Sequence, residues 1–114
     1  MVKTVTLPKG QAAQYRRLRT QQKRHESFAR DLINEAKKQF WYKRAVLRNL
    51  ARLQRYDMCS PEMDEHLTAA ARGRHNRAQR ALEHAQEQMA LVAVCRADQE
   101  EIVCERKASK PCCH

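Results

Sequence analysis

Glycine occurs twice and proline three times in these 114 residues, which excludes turn-rich β sandwiches, collagen-like repeats and Gly-rich linkers. Large apolar residues are scarce too. Leu, Ile, Val and Phe number 19, about a sixth of the chain, while Ala alone supplies 16. That share lies below the roughly 20% under which a highly charged chain lacks a core of its own. A roomy internal pocket is therefore not expected. The longest apolar run, Met89–Cys95, has seven residues. A helix needs about 20 to cross a bilayer, so no membrane partner is expected.

The chemistry-bearing motifs are missing as well. A phosphate-cradling loop cannot be built from Gly10 and Gly73 alone. Neither His-x-x-x-His nor His-Glu-x-x-His spacing occurs. His66, His75 and His84 recur every nine residues, which turns a helix by about 180°, so His75 faces away from the other two. Cysteines stand at 59, 95, 104, 112 and 113, an odd number with no Cys-x-x-Cys pair for zinc. Cys112-Cys113-His114 offers three donors at the chain end, a poor metal site, and Pro111 stands where a prenylation box needs its Cys. Paired carboxylates such as Glu100-Glu101 sit in a charged helix and are expected to face water. These absences point to a protein that is not an enzyme, with no cofactor, no metal and no small-molecule substrate.

No apolar segment of the secretory type follows Met1, so free thiols in a reducing compartment are expected. The first 25 residues hold several Arg and no acid, similar to a mitochondrial transit peptide. The mitochondrion is thus the alternative to the cytoplasm.

Helix formers dominate what remains. MVKTVTLP reads as an extended arm, ended by Pro8-Lys9-Gly10. Residues from Gln11 to about Met58 contain neither Pro nor Gly and predict one long helix. Cys59-Ser60-Pro61 marks a hinge. Ser60 suits an N-cap, Pro61 the first helical position, and Glu62, Asp64 and Glu65 the positive end of a helix dipole. A second helix is predicted over 61–107, weakened locally by Gly73, with a loose tail over 108–114. The fold class is all-α: two helices of nearly equal length, as a hairpin or an extended rod.

Heptad stripes accompany these helices. Ala71, Ala78, Ala85, Val92 and Gln99 hold one position of the seven in the second helix, and His75, Leu82, Met89, Arg96 and Val103 the alternate one. In the first helix the stripe runs through Ala29, Leu32, Ala36, Phe40, Leu47 and Leu50. Phe40-Trp41-Tyr42 cannot all point one way, since neighbours on a helix lie about 100° apart. Either the packing there is two-sided, or Trp41 or Tyr42 anchors the helix in a partner's groove.

The formal charge is +10, and it belongs to the first half: residues 1–58 hold 15 bases and four acids. In an αα-hairpin closed near Ser60, position i faces roughly 119 − i. Arg16, Arg17, Arg19, Lys23 and Arg24 then lie beside Asp98, Glu100, Glu101 and Glu105, a complementary match. Arg44 and Arg48 instead lie beside Arg72, Arg74, Arg77 and Arg80. Like charges gathered there call for an outside anion. The candidate partner-binding residues are Trp41, Tyr42, Lys43, Arg44, Arg48, Arg52, Arg72, Arg74, Arg77 and Arg80.

Two classes of acidic partner fit such a basic helical chain. One is RNA in a ribonucleoprotein, where Arg neutralises phosphates. The other is an acidic protein lattice. Lys-rich tails and Gly-Arg repeats are absent, which favours the protein. In plan, the arm MVKTVTLP, the helix with QFWYKRAVLRNLARL, the CSP hinge and the second helix resemble the small α-helical microtubule inner proteins of ciliary and flagellar doublets. The resemblance implies a structural role on the tubulin wall among neighbouring axonemal proteins, in the cytoskeleton, with no cofactor. It carries over no site residue.

Overall fold

A computed structural model describes residues 9–108, with side chains from 10 to 106. The expected arm over 1–8 and the tail from 109 lie outside the described residues. Two helices account for almost everything: α1, Lys9–Arg55, and α2, Pro61–Ala108, with no strand among the described residues. α1 starts two residues before the expected position, taking in Lys9 and Gly10, and stops three residues early.

The early stop has a local cause. Asp57 adopts a left-handed backbone with φ of 55°. The Met58 N–H then reaches back to the Leu53 carbonyl at 2.8 Å and the Asp57 N–H to that of Gln54 at 3.2 Å. This is a Schellman closure, with Asp in the place usually held by Gly. α2 starts as its sequence dictates. The Ser60 hydroxyl accepts a bond from the Met63 N–H at 3.1 Å, with Pro61 first in the helix and Glu62 and Asp64 in its opening turn. Between the helices, partial burial and then the Asp64 carboxylate push the Cys59 thiol above its ordinary pKa.

The helices fold back on one another, and the chain divides into two compact units. Ala29–Gln86 forms one, around the connection. Its seam follows steps of three and four: Ala29, Leu32, Ala36, Gln39, Lys43, Val46, Leu50 and Leu53 on α1, then Leu67, Ala71, Arg74, Ala78, Ala81 and Ala85 on α2, all buried or half-buried. Ala36, Ala78 and Ala81 form its innermost cluster, with Leu32 and Phe40 against it. Lys43 bonds His75 and Gln54 bonds Asp64, each one residue from the expected register.

The other unit pairs residues 9–28 with 87–108. Val92, Cys95, Gln99 and Ile102 are its buried residues on α2. The seam is notably polar: Gln99 donates to Gln22 at 2.7 Å, and Gln88 bonds His25 at 2.6 Å. An ion pair joins Arg96 to Glu26 at 3.2 Å. None of Arg16, Arg17, Arg19, Lys23 and Arg24 makes an ion pair with Asp98, Glu100, Glu101 or Glu105 among the described residues. Exposed pairs are worth only about 0.2–1 kcal/mol, so glutamine amides can take over the registration of this segment.

Both stripes need a correction. The first α2 position, Ala71 to Gln99, is buried throughout, but its companion is Arg74, Ala81, Gln88, Cys95 and Ile102. Leu82 and Met89 lie outside the seam, exposed. On α1 the stripe passes through Gln39, Lys43 and Val46 rather than Phe40 and Leu47. Alanine layers bring helices close, so small residues take the seam and bulkier ones move to its flank.

Candidate partner-binding site

All ten candidate residues fall in the Ala29–Gln86 unit, and the structure sorts them into three kinds. Two are used by the seam. The Lys43 ammonium donates to His75 Nδ1 at 3.0 Å, which places the His75 proton on Nε2. Phe40 meets the same imidazole edge-on at 5.8 Å between ring centres. Arg74 donates to the buried Gln39 amide oxygen at 3.0 Å, and its guanidinium covers the Tyr42 ring at 4.9 Å. Cation–π contact of this kind is worth about 0.5–2 kcal/mol.

Tyr42 is thereby committed to this chain as well, with Lys38 at 6.0 Å from its ring. Trp41 is different. It meets Tyr42 edge-on at 5.3 Å, yet remains 62% exposed. The three aromatics thus divide as their 100° spacing requires. Phe40 flanks the seam on the His75 side, Tyr42 on the Arg74 side, and Trp41 points outward between them.

Arg44, Arg48, Arg52, Arg72, Arg77 and Arg80 are exposed. None makes a hydrogen bond or ion pair among the described residues. These are the unspent charges of the site.

Beside Trp41 lies an open groove of about 540 Å³ lined by Lys37, Phe40, Trp41, Lys43, Arg44 and Leu47. Its lining is three apolar or aromatic side chains and three bases, with no acid. Lys37, Phe40 and Leu47 were not among the sequence-derived candidates. The available signal was the seven-residue spacing of Ile33, Phe40 and Leu47, of which Phe40 and Leu47 were assigned to the seam stripe and Ile33 to none. Leu47 is in fact 41% exposed.

Groups of three or more His, Cys, Asp or Glu side chains able to hold a metal do not occur among the described residues. No helix there is long and apolar enough to cross a membrane. No known protein family matches the chain, and neither a curated protein nor a solved structure shows significant similarity to it.

Proposed function

We propose that this is a non-catalytic structural protein that lies on a larger acidic protein assembly and stabilises it. The observation that carries this reading is the groove at Trp41. It brings an indole, the apolar Phe40 and Leu47 and the bases Lys37 and Arg44 to one place, beside the seam-bound Lys43 and with no acid in its lining. Aromatic residues and Arg are the types enriched at protein interfaces, and Trp41 and Arg44 supply both here. Unpaired Arg on both helices extends the positive field around it. By resemblance of plan, the tubulin wall of axonemal doublet microtubules is the assembly proposed, in the cytoskeleton of a cilium or flagellum.

Cosedimentation tests the proposal. Wild type is spun with microtubules and, separately, with RNA. The same is done with a variant carrying Arg44→Glu, Arg48→Glu, Arg77→Glu and Arg80→Glu. Arg74 is left intact because it holds Gln39 and Tyr42. Wild type is expected to pellet with microtubules, more weakly as salt rises, and the variant to stay in the supernatant. Tight RNA binding with indifference to microtubules overturns the reading in favour of a ribonucleoprotein subunit.

A further inference from the structure

The groove belongs to a longer pattern on α1. Arg30, Ile33, Lys37, Phe40, Arg44 and Leu47 follow one another in steps of three and four. Every apolar member is seven residues from the next, and every base is seven from the next. This is a second heptad stripe, beside the seam. Ile33 is 36% exposed and Leu47 41%, so the stripe is available. The acids of this part of α1, Asp31 and Glu35, lie more than about 100° round the helix from its centre. On α2 the Phe40–His75 contact fixes which side adjoins it, and Leu82, seven residues on, is exposed there.

We infer that this stripe seats one amphipathic, acidic α-helix of the partner, laid alongside α1 as a third helix against the Ala29–Gln86 unit. The inference rests on the acidic protein partner proposed above and specifies what that partner presents. Seven-residue apolar spacing repeats every ~10.5 Å along a helix, so Ile33 to Leu47 spans about 21 Å, a match for four turns of a partner helix. An extended strand, with its period of two, does not reproduce that spacing. The bases at Arg30, Lys37 and Arg44 select acidic residues on the occupant, one per heptad. A second copy of this chain is disfavoured by the same charges, since the stripe is basic and the whole chain carries +10.

Trp41 is the only tryptophan and lines the groove, so its fluorescence reports on this site directly. The probes are two designed helical peptides of roughly four turns with Leu at heptad spacing. One is flanked by Glu, the other by Lys. The Glu-flanked peptide is expected to shift Trp41 emission to the blue in a saturable way, and the Lys-flanked peptide to do nothing. Lys37→Glu with Arg44→Glu should weaken binding at least about fivefold. Leu47→Asp, an exposed position, should also weaken it while circular dichroism stays unchanged. Arg16→Glu with Arg17→Glu, exposed in the other unit and outside the candidate site, should leave it within about twofold. Equal losses from both charge-reversed pairs, or equal response to an RNA oligonucleotide or anionic vesicles, would mean a diffuse polyanion surface and overturn the inference. Microtubule pelleting of the same variants separates the two ideas. Pelleting that ignores Lys37, Arg44 and Leu47 refutes the stripe while leaving the lattice reading intact. Stripe-dependent peptide binding without microtubule pelleting supports the stripe and refutes tubulin.

Discussion

Replacing Gly73 by Ala should stabilise this protein. Gly73 lies inside α2, on its exposed side, without the left-handed backbone that would call for glycine. A Cβ added there meets nothing within 4 Å. The substitution therefore brings no clash, and only the backbone entropy changes. Glycine in a helix interior is about 0.8–1.0 kcal/mol less favourable than alanine. Position 73 is far from both ends of α2, and its neighbour Arg74 is held by Gln39 and Tyr42, so fraying should not dilute the effect. One kcal/mol raises the midpoint of a domain of this size by about 4–8 °C. Gly10, second in α1 and equally unobstructed, is the internal control. Gly10→Ala should yield only a few tenths of a kcal/mol, because a first turn frays. Thermal unfolding followed by circular dichroism reads both variants. An unchanged or lowered midpoint for Gly73→Ala would mean that α2 is not continuous through this position in solution.

Three further expectations concern the helix ends, the Cys59 thiol and the polar seam. Ser60→Ala should cost about 1 kcal/mol by removing the cap on Met63, and Asp57→Gly should recover up to about 1 kcal/mol by relieving the left-handed backbone; both are read from thermal midpoints. With its pKa raised, less Cys59 is thiolate at neutral pH, so alkylation at Cys59 should be slower than at exposed Cys104, and Asp64→Asn should speed it up, as mass spectrometry of the labelled peptides would show. Replacing Gln22 and Gln99 together by Leu should raise stability by roughly 1–3 kcal/mol in denaturant unfolding, whereas Gln99→Leu alone should give less.

Legibility in the sequence followed the strength of each local signal. The cap at Ser60 was readable, and the register near the hinge was readable to within one residue, because hinge chemistry and equal arms leave few options. The end of α1 was not, because Asp57 in a left-handed turn carries no composition signal as strong as Gly. The seam was half readable. Ala71, Ala78 and Ala85 show the period, but Leu82 and Phe40 draw any hydrophobicity-based reading toward themselves and off by one residue. At the site, charge counting found the Arg residues but could not tell exposed Arg44 and Arg48 from Arg74, which lies half-buried against Gln39. That distinction depends on which flank faces the other helix, and a one-residue shift in the stripe reverses it.

The composition of the seam bears on how this protein exists alone. Among the described residues Val92 is the largest side chain that is fully buried, and the innermost cluster of the Ala29–Gln86 unit is three alanines. A buried methyl returns about 0.8 kcal/mol, against about 1–2 kcal/mol to order each residue's backbone. Gln39 and Gln99 occupy further buried positions and return less still. Meanwhile Ile33, Trp41 and Leu47 keep much of their surface in water. The proposed partner would cover them, and a partner that binds only the folded chain adds RT ln(1 + [L]/Kd), about 2.7 kcal/mol at a hundredfold excess over Kd. The isolated chain should therefore melt broadly and at low temperature, with amide exchange in both helices slowed when it is bound. Hydrogen exchange by mass spectrometry, free and on microtubules, measures that difference residue by residue. A monomer with a sharp transition at high temperature, and exchange unaffected by the polymer, would show that Ala and Gln layers suffice on their own and that the exposed stripe contributes nothing to folding.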